Sequence, residues 1–155
     1  MAEQLTGDAA VRARVNDNPV WEPPFVPFSP PRPLSEARVS IVTTAGLTPD
    51  GRASWAPGDE GFTVLDRAAR DLTLAHFSPN FDRVGIAADL NVVYPIDRLE
   101  ELAADGTIGS VAPRHVSFMG AQLNHELSTM RLDTGPAVAR MLREDGVDVV
   151  LLTPI

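Results

Sequence analysis

The chain has 155 residues, of which 44% are hydrophobic, so it is long enough for one domain with a buried core. Its net charge of −8 disfavours nucleic acid as a partner, and no apolar run approaches the roughly 18 residues of a membrane-spanning helix. The sequence has no cysteine, which excludes disulfides, thiolate metal sites and thiol redox chemistry among these residues.

The first 33 residues show no regular periodicity and no apolar segment of a secretory signal, so we predict a cytoplasmic location. Residues 18–33 hold seven of the 14 prolines, and proline disfavours both helices and inner strands. We therefore predict an extended proline-rich arm over residues 1–33, followed by the N-terminal part of an α/β domain over residues 34–155. Trp21, Phe25 and Phe28 either pin the arm to another surface or cover apolar area of their own domain.

Short segments rich in β-branched or alternating apolar residues predict strands in the first two thirds of the domain. They are residues 38–44, 62–66, 71–76 and 114–119. The first of them ends at Ala45-Gly46, which is typical of a tight turn, and the proline- and glycine-containing residues 47–59 are predicted to form an irregular loop.

Two amphipathic helices are predicted at residues 95–104 and 136–144, each beginning at a proline and ending shortly before a glycine. Residues 147–153 are apolar to Leu152 except for Asp148, which predicts a strand in the middle of a parallel sheet, covered on both faces. The alternation of strands and helices predicts an open, mainly parallel α/β sheet with flanking helices, of the Rossmann or flavodoxin-like type.

The last predicted strand lies at the very end of the sequence. A parallel strand normally continues into a crossover helix, and the carboxyl ends of such strands carry the binding site. Here the sequence stops at Thr153-Pro154-Ile155. The pattern of residues leaves two interpretations open, a natural C-terminal strand and a truncated domain.

Several blocks, in the same order, resemble the selenoprotein B-type subunits of the glycine/sarcosine/betaine and D-proline reductase family. The most specific are Asn-Val-Val-Tyr-Pro-Ile-Asp-Arg-Leu at residues 91–99 and Gly-Ser-Val-Ala-Pro-Arg-His at residues 109–115. In that family a segment similar to Leu-Leu-Thr-Pro is followed by Sec-x-x-Cys or Cys-x-x-Cys. The resemblance implies a selenol- or thiol-dependent reductase of an amino acid or its derivative, with its redox pair expected immediately after Ile155.

The resemblance also implies cofactors and partners. We expect no cofactor in this chain and a selenocysteine in the full-length protein. We also expect that the reading frame was cut at an in-frame UGA codon. A pyruvoyl-bearing partner subunit and a thiol donor are implied as well. The alternative is a non-catalytic binding or assembly module that keeps the same fold, and the substrate cannot be named from the sequence.

Candidate site residues lie at the predicted strand ends. Thr43, Thr44 and Gly46 end one strand and Thr153 and Pro154 end another, where hydroxyl and N–H groups suit a carboxylate, although strand-end capping is an equal alternative. His76, with Asp82 six residues further on, and His115 are candidates for stabilising an anion or moving a proton, against a purely structural role. The histidines lack the spacing of a metal site, so we predict no metal.

Overall fold

The computed structural model describes residues 7–17, 29–30, 32–49, 55–79, 81–122 and 127–155. Trp21, Phe25 and Phe28 lie outside these residues, as does most of the proline-rich segment. Within the range predicted to be an extended arm, residues Asp8–Asn16 form helix α1. Its alanine and valine residues form only a weak amphipathic pattern, so periodicity did not predict this helix. The boundary between arm and domain stays a prediction.

Most of the described strands join one sheet. In chain order they are β1 (Arg38–Thr43), β2 (Leu47–Pro49), β3 (Phe62–Asp66), β4 (Leu72–Leu74), β5 (Ser110–Val111), β6 (Arg114–Phe118) and β7 (Val149–Thr153). In this five-stranded sheet β5, β6 and β7 run parallel to β1, whereas β3 runs antiparallel to β6. The sheet is therefore mixed and mostly parallel, which confirms the predicted α/β fold class.

Strand β1 lies at the centre of this sheet. Its Val42 pairs with Val116 of β6 and with Leu152 of β7, so β6 and β7 lie on opposite sides of β1. Strand β5 lies on the same side as β6, because Val39 pairs with Val111 of β5 and also with β7. The order across the sheet is thus β3, then β6 with β5, then β1, then β7.

Helices cover both faces of the sheet. They are α2 (Val84–Ala88), α3 (Ile96–Ala104) and α4 (Gly135–Glu144). Consecutive strand residues point to opposite faces. Ile41 belongs to the apolar cluster that contains Leu99 of α3, whereas Val42 packs against the cluster that contains Leu142 of α4. We call the two sides the α3 face and the α4 face.

The two predicted amphipathic helices are confirmed as α3 and α4. Gly106 just after α3 has a φ of 79°, a conformation that favours glycine and ends the helix. An unpredicted π-helical turn, Met130–Thr134, precedes α4. A Cβ on Gly135 would lie 2.5 Å from the Met130 carbonyl oxygen, so the turn needs glycine at this position. None of the described helices is long and apolar enough to cross a bilayer.

Three strands differ from the sequence-based expectation. Residues 110–111, for which no strand was predicted, form β5 and pair with β1. Residues 47–49, predicted to be irregular, form β2 and pair antiparallel with β4. Strand β7 was predicted to be covered on both faces, yet it pairs only with β1 in the described part of the chain. Its residues Val150, Leu151 and Leu152 are 39%, 37% and 67% exposed. Apolar composition indicates that a strand is suited to burial, but it does not specify which segment covers it.

Candidate functional site

The carboxyl ends of β1, β6 and β7 meet at one edge of the sheet. Gly120, two residues after β6, marks this meeting point. A Cβ on Gly120 would lie 2.8 Å from the Thr44 carbonyl oxygen after β1 and 2.9 Å from the Ile155 carbonyl oxygen after β7. Such distances are too short for a real Cβ, so the close approach of three chain segments requires glycine here.

The threonine hydroxyls at this edge hydrogen-bond to backbone groups. Thr43 Oγ1 donates to the Thr153 carbonyl at 3.2 Å, and Thr44 Oγ1 accepts from the Ile155 N–H at 2.8 Å. Thr153 Oγ1 donates to the Val93 carbonyl, on the loop before α3, at 2.8 Å. These bonds hold the end of β7 against β1 and against the α3 layer. Direct contact of the same threonines with a substrate stays a prediction.

We expect the substitution Thr153→Val to lower the free energy of unfolding by about 1 kcal/mol, because the isosteric valine leaves the part-buried Val93 carbonyl without its donor. Thr44→Val is the matched control, since its bond to Ile155 is exposed and its loss should cost less. Urea unfolding of both variants measures the difference. Equal losses in the two variants would contradict this role of Thr153.

His76 lies beside the same edge, where its backbone packs closely against Gly46. Gly46 has a φ of 63°, and a Cβ on it would lie 3.2 Å from both the His76 backbone nitrogen and the Met119 sulfur. Only 5% of His76 is exposed. Its Nδ1 accepts from the Ser78 N–H at 3.3 Å, whereas its Nε2 has no hydrogen-bond partner among the described residues.

The surroundings of His76 keep its ring neutral and oriented. Burial, and secondly the Arg83 guanidinium, lower the pKa of His76 below its ordinary value. Arg83 also donates to the His76 carbonyl at 2.8 Å and lies 4.5 Å over the Phe81 ring, which meets the imidazole edge-on at 4.7 Å. Because Nδ1 accepts the Ser78 N–H, the neutral ring carries its hydrogen on Nε2, and this Nε2–H is a hydrogen-bond donor with no partner among the described residues.

Sequence reasoning missed one further residue at this edge. The Trp55 indole N–H donates to the Gly46 carbonyl at 2.9 Å, next to His76. Trp55 belongs to the irregular loop between two strands, and no periodicity or motif links it to Gly46. Only the folded chain brings the two together.

His115 lies inside the core. It is fully buried at the second position of β6 and pairs with Leu65 of β3. Its Nδ1 accepts the Ile41 N–H at 3.0 Å, and its ring meets Tyr94 edge-on at 5.6 Å. Asp82 is exposed before α2, where its carboxylate accepts the Val84 N–H at 2.8 Å. The structure therefore brings His76 and the threonines to the strand ends, and it places His115 in the sheet.

Two clefts lie at the opposite edge of the sheet, with volumes of about 580 and 410 Å³. Both are lined by Arg38 and Ser110, at the amino ends of β1 and β5. In open α/β sheets ligands bind at the carboxyl ends of strands, so we place the candidate site at the edge that carries His76. No group of three or more metal-ligating side chains is present among the described residues.

Comparison with known proteins points to one family. Residues 23–155 match the family described as glycine/sarcosine/betaine reductase selenoprotein B. The chain is 35% identical over 140 residues to the D-proline reductase subunit gamma of Acetoanaerobium sticklandii. It is 30% identical over 136 residues to the sarcosine reductase complex component B subunit beta of Peptoclostridium acidaminophilum. No solved structure gave a significant match.

The matched regions cover the relatives unequally. The match to the D-proline reductase subunit covers 83% of this chain and 56% of the relative. The match to the sarcosine reductase subunit covers 80% of this chain and 30% of the relative. The chain thus spans about half the length of the first relative and less than a third of the second.

Proposed function

Because the chain belongs to the glycine/sarcosine/betaine reductase selenoprotein B family, we propose that it is the N-terminal part of a selenol- or thiol-dependent amino-acid reductase subunit. The family consists of oxidoreductase subunits, and relatives are named as components of reductase complexes. In this proposal a selenocysteine or cysteine of a Sec/Cys-x-x-Cys pair follows Ile155 in a cytoplasmic full-length protein. The single observation that supports it most directly is the family match, which extends to the last residue.

The geometry of the strand ends agrees with this proposal. Residue 155 lies at the carboxyl edge of the sheet, beside Thr44 and Gly120. A selenol or thiol attached there would supply a nucleophile that is readily ionised when backbone N–H groups or a helix N-terminus face it. The hydrogen bonds of Thr43 and Thr153 fix the position of the end of β7, and therefore the direction in which the chain leaves the sheet at this edge.

The remaining residues at this edge have proposed roles in handling the substrate. Thr43, Thr44, Gly46, Thr153 and Pro154 are the residues proposed to line the space for a substrate carboxylate. The hydroxyls of Thr43 and Thr153 and the N–H groups of Thr44 and Gly46 donate to backbone carbonyls, so a carboxylate would have to replace one of these acceptors. Asp82 stays a further candidate for substrate contact, on the loop that follows His76.

Proton transfer is assigned to His76. His76 lies beside the carboxyl edge of the sheet, next to Gly46, whereas His115 is fully buried within β6. In both rings Nδ1 accepts a backbone N–H and Nε2 has no partner among the described residues. A pyruvoyl group on a partner subunit would bind the substrate amine, and a thiol donor would regenerate the redox pair. D-proline, glycine, sarcosine and betaine are the substrate candidates, as the names of relatives suggest.

The genomic DNA after the Ile155 codon tests the proposal. We expect an in-frame UGA, followed by a reading frame that encodes a cysteine three residues later and a further α/β pattern. A UAA or UAG codon without a coding continuation would contradict the proposal and favour a non-catalytic binding or assembly module. Neighbouring genes for a pyruvoyl-forming proprotein or for selenium insertion would add support.

We also expect the purified 155-residue chain to turn over none of the four candidate substrates with a dithiol donor, because it contains no cysteine. The same assay with the extended protein, carrying cysteine at the UGA position and supplied with its partner subunit, should show turnover. Robust activity of the 155-residue chain by itself would refute the assignment of the nucleophile to the segment beyond Ile155.

A further inference from the structure

Strand β7 carries apolar side chains that no described segment covers. Val150 and Leu152 alternate with Val149 and Leu151. They pair with Ser40 and Val42 of β1 and share the α4 face with Val42. Leu152 is 67% exposed and Val150 39%. In the described part of the chain the outer edge of β7 has no pairing strand. An apolar, unpaired edge of this kind favours association with another segment.

The two crossovers in the sheet indicate which face a further helix would occupy. From β1 the chain passes α3 on one face and reaches β6 on one side of β1. From β6 it passes α4 on the other face and moves in the opposite direction, to β7. The two crossovers therefore have the same hand, as parallel sheets require. A continuation beyond β7 with that hand places its helix on the α4 face, where Leu152 is exposed.

The unpaired edge of β7 and the exposed side chains of Val150 and Leu152 together favour an occupant that contains both a strand and a helix. A second copy paired through β7 would satisfy the backbone at the edge, but the side chains of Val150 and Leu152 project from the face and would stay uncovered. A helix beside α4 covers them. Nearly half of the D-proline reductase subunit lies outside the match, which is ample for a crossover unit of about 30 residues.

We propose that the outer edge of β7 and the exposed side chains of Val150 and Leu152 form a docking surface for a parallel strand and an apolar-striped helix. Both come from the polypeptide that follows Ile155 in the full-length protein. This inference rests on the proposed function, which supplies that polypeptide. Docking makes β7 an interior strand and completes the edge of the sheet at which residue 155 lies.

Hydrogen–deuterium exchange compares the 155-residue chain with the extended protein that carries cysteine at the UGA position. We expect the amides of residues 149–153 to exchange roughly 100-fold more slowly in the extended protein. Leu152→Asp should abolish this protection. If the aspartate variant does not fold, Leu152→Ala replaces it in the experiment and should reduce the protection. Leu132→Asp is the matched control, since Leu132 is 72% exposed on the π-helical turn and should leave the protection unchanged.

Three results would overturn the inference. Equal exchange of residues 149–153 in both proteins would refute the docking surface while the continuing reading frame still supported the proposed function. A 155-residue dimer that Leu152→Asp dissociates, seen by light scattering, would identify a second copy as the occupant. The absence of any coding continuation would refute both proposals together.

Discussion

The substitution Gly109→Ala is expected to lower the free energy of unfolding by about 3 kcal/mol, as overpacking against rigid backbone does. A Cβ on Gly109 would lie 2.5 Å from the Glu36 carbonyl carbon and 2.9 Å from the Ala37 nitrogen. The backbone cannot easily yield, because the Gly109 N–H donates to the Leu34 and Ala37 carbonyls at 2.9 and 3.0 Å. Urea unfolding of the variant and the unchanged chain measures the loss.

Gly85→Ala is the control for this substitution. A Cβ on Gly85 meets nothing within 4 Å, and the residue lies inside helix α2. Alanine has the higher helix propensity, so we expect this variant to be neutral or slightly stabilised. Comparable losses at Gly109 and Gly85 would contradict the steric explanation. Gly109 is the first residue of one of the blocks that resemble the family. A loss of stability in Gly109→Ala would indicate that this glycine is needed there for packing rather than for a chemical role.

Acidification from pH 7 to pH 4 is expected to remove about 3 kcal/mol of stability through His115. Burial, and secondly the Arg67 guanidinium, lower the pKa of His115 from 6.5 to about 4. The Ile41 N–H bond to Nδ1 acts in the same direction, because that nitrogen cannot take up a proton while it accepts this bond. Arg70 also lowers the pKa, whereas the Asp66 and Glu100 carboxylates raise it.

The sign depends on which state binds the proton. Above pH 6.5 the histidine is neutral in both the folded and the unfolded chain, and its contribution to stability is complete. Between pH 6.5 and about 4 only the unfolded chain binds the proton, so the free energy of unfolding falls steadily as the pH decreases. Below about pH 4 the folded chain is protonated too, and this contribution stops changing.

The variant His115→Asn isolates this effect from that of the acidic groups. The asparagine oxygen can accept the Ile41 N–H but does not titrate. Denaturation midpoints of both proteins at several pH values between 7 and 4 give the difference in their stability. The contributions of the carboxylates and of His76 cancel in this difference, because both proteins contain these groups. A stability difference that stays constant over this range would refute the prediction, and an NMR titration of His115 measures its pKa directly.

Patterns within short segments predicted much of the fold. The periodicity of residues 95–104 and 136–144 identified both long helices of the domain, and β-branched runs identified β1, β3, β6 and β7. The short strand β2 was missed, because pairing with β4 rather than any local pattern makes those three residues a strand. The π-helical turn was missed as well, since its cause is the approach of Met130 to Gly135.

The candidate site was only partly accessible to such reasoning. The rule that parallel strands end at one edge placed Thr43 and Thr153 together, and their hydrogen bond agrees with it. His76 ends a predicted strand and His115 lies in a block that resembles the family, so the sequence offered no reason to prefer one of them. Position separates them, because His115 is fully buried within the sheet while His76 packs against Gly46 beside the carboxyl edge.

The α/β class, the main helices and the family can all be read from the linear chain, because periodicity and ordered motifs are properties of consecutive residues. Which faces are covered, which polar atoms are bonded and where strands meet emerge only on folding, because these depend on contacts between distant residues. Leu152 illustrates the difference. Its apolar neighbours predicted a buried strand, whereas in the described part of the chain Leu152 is 67% exposed.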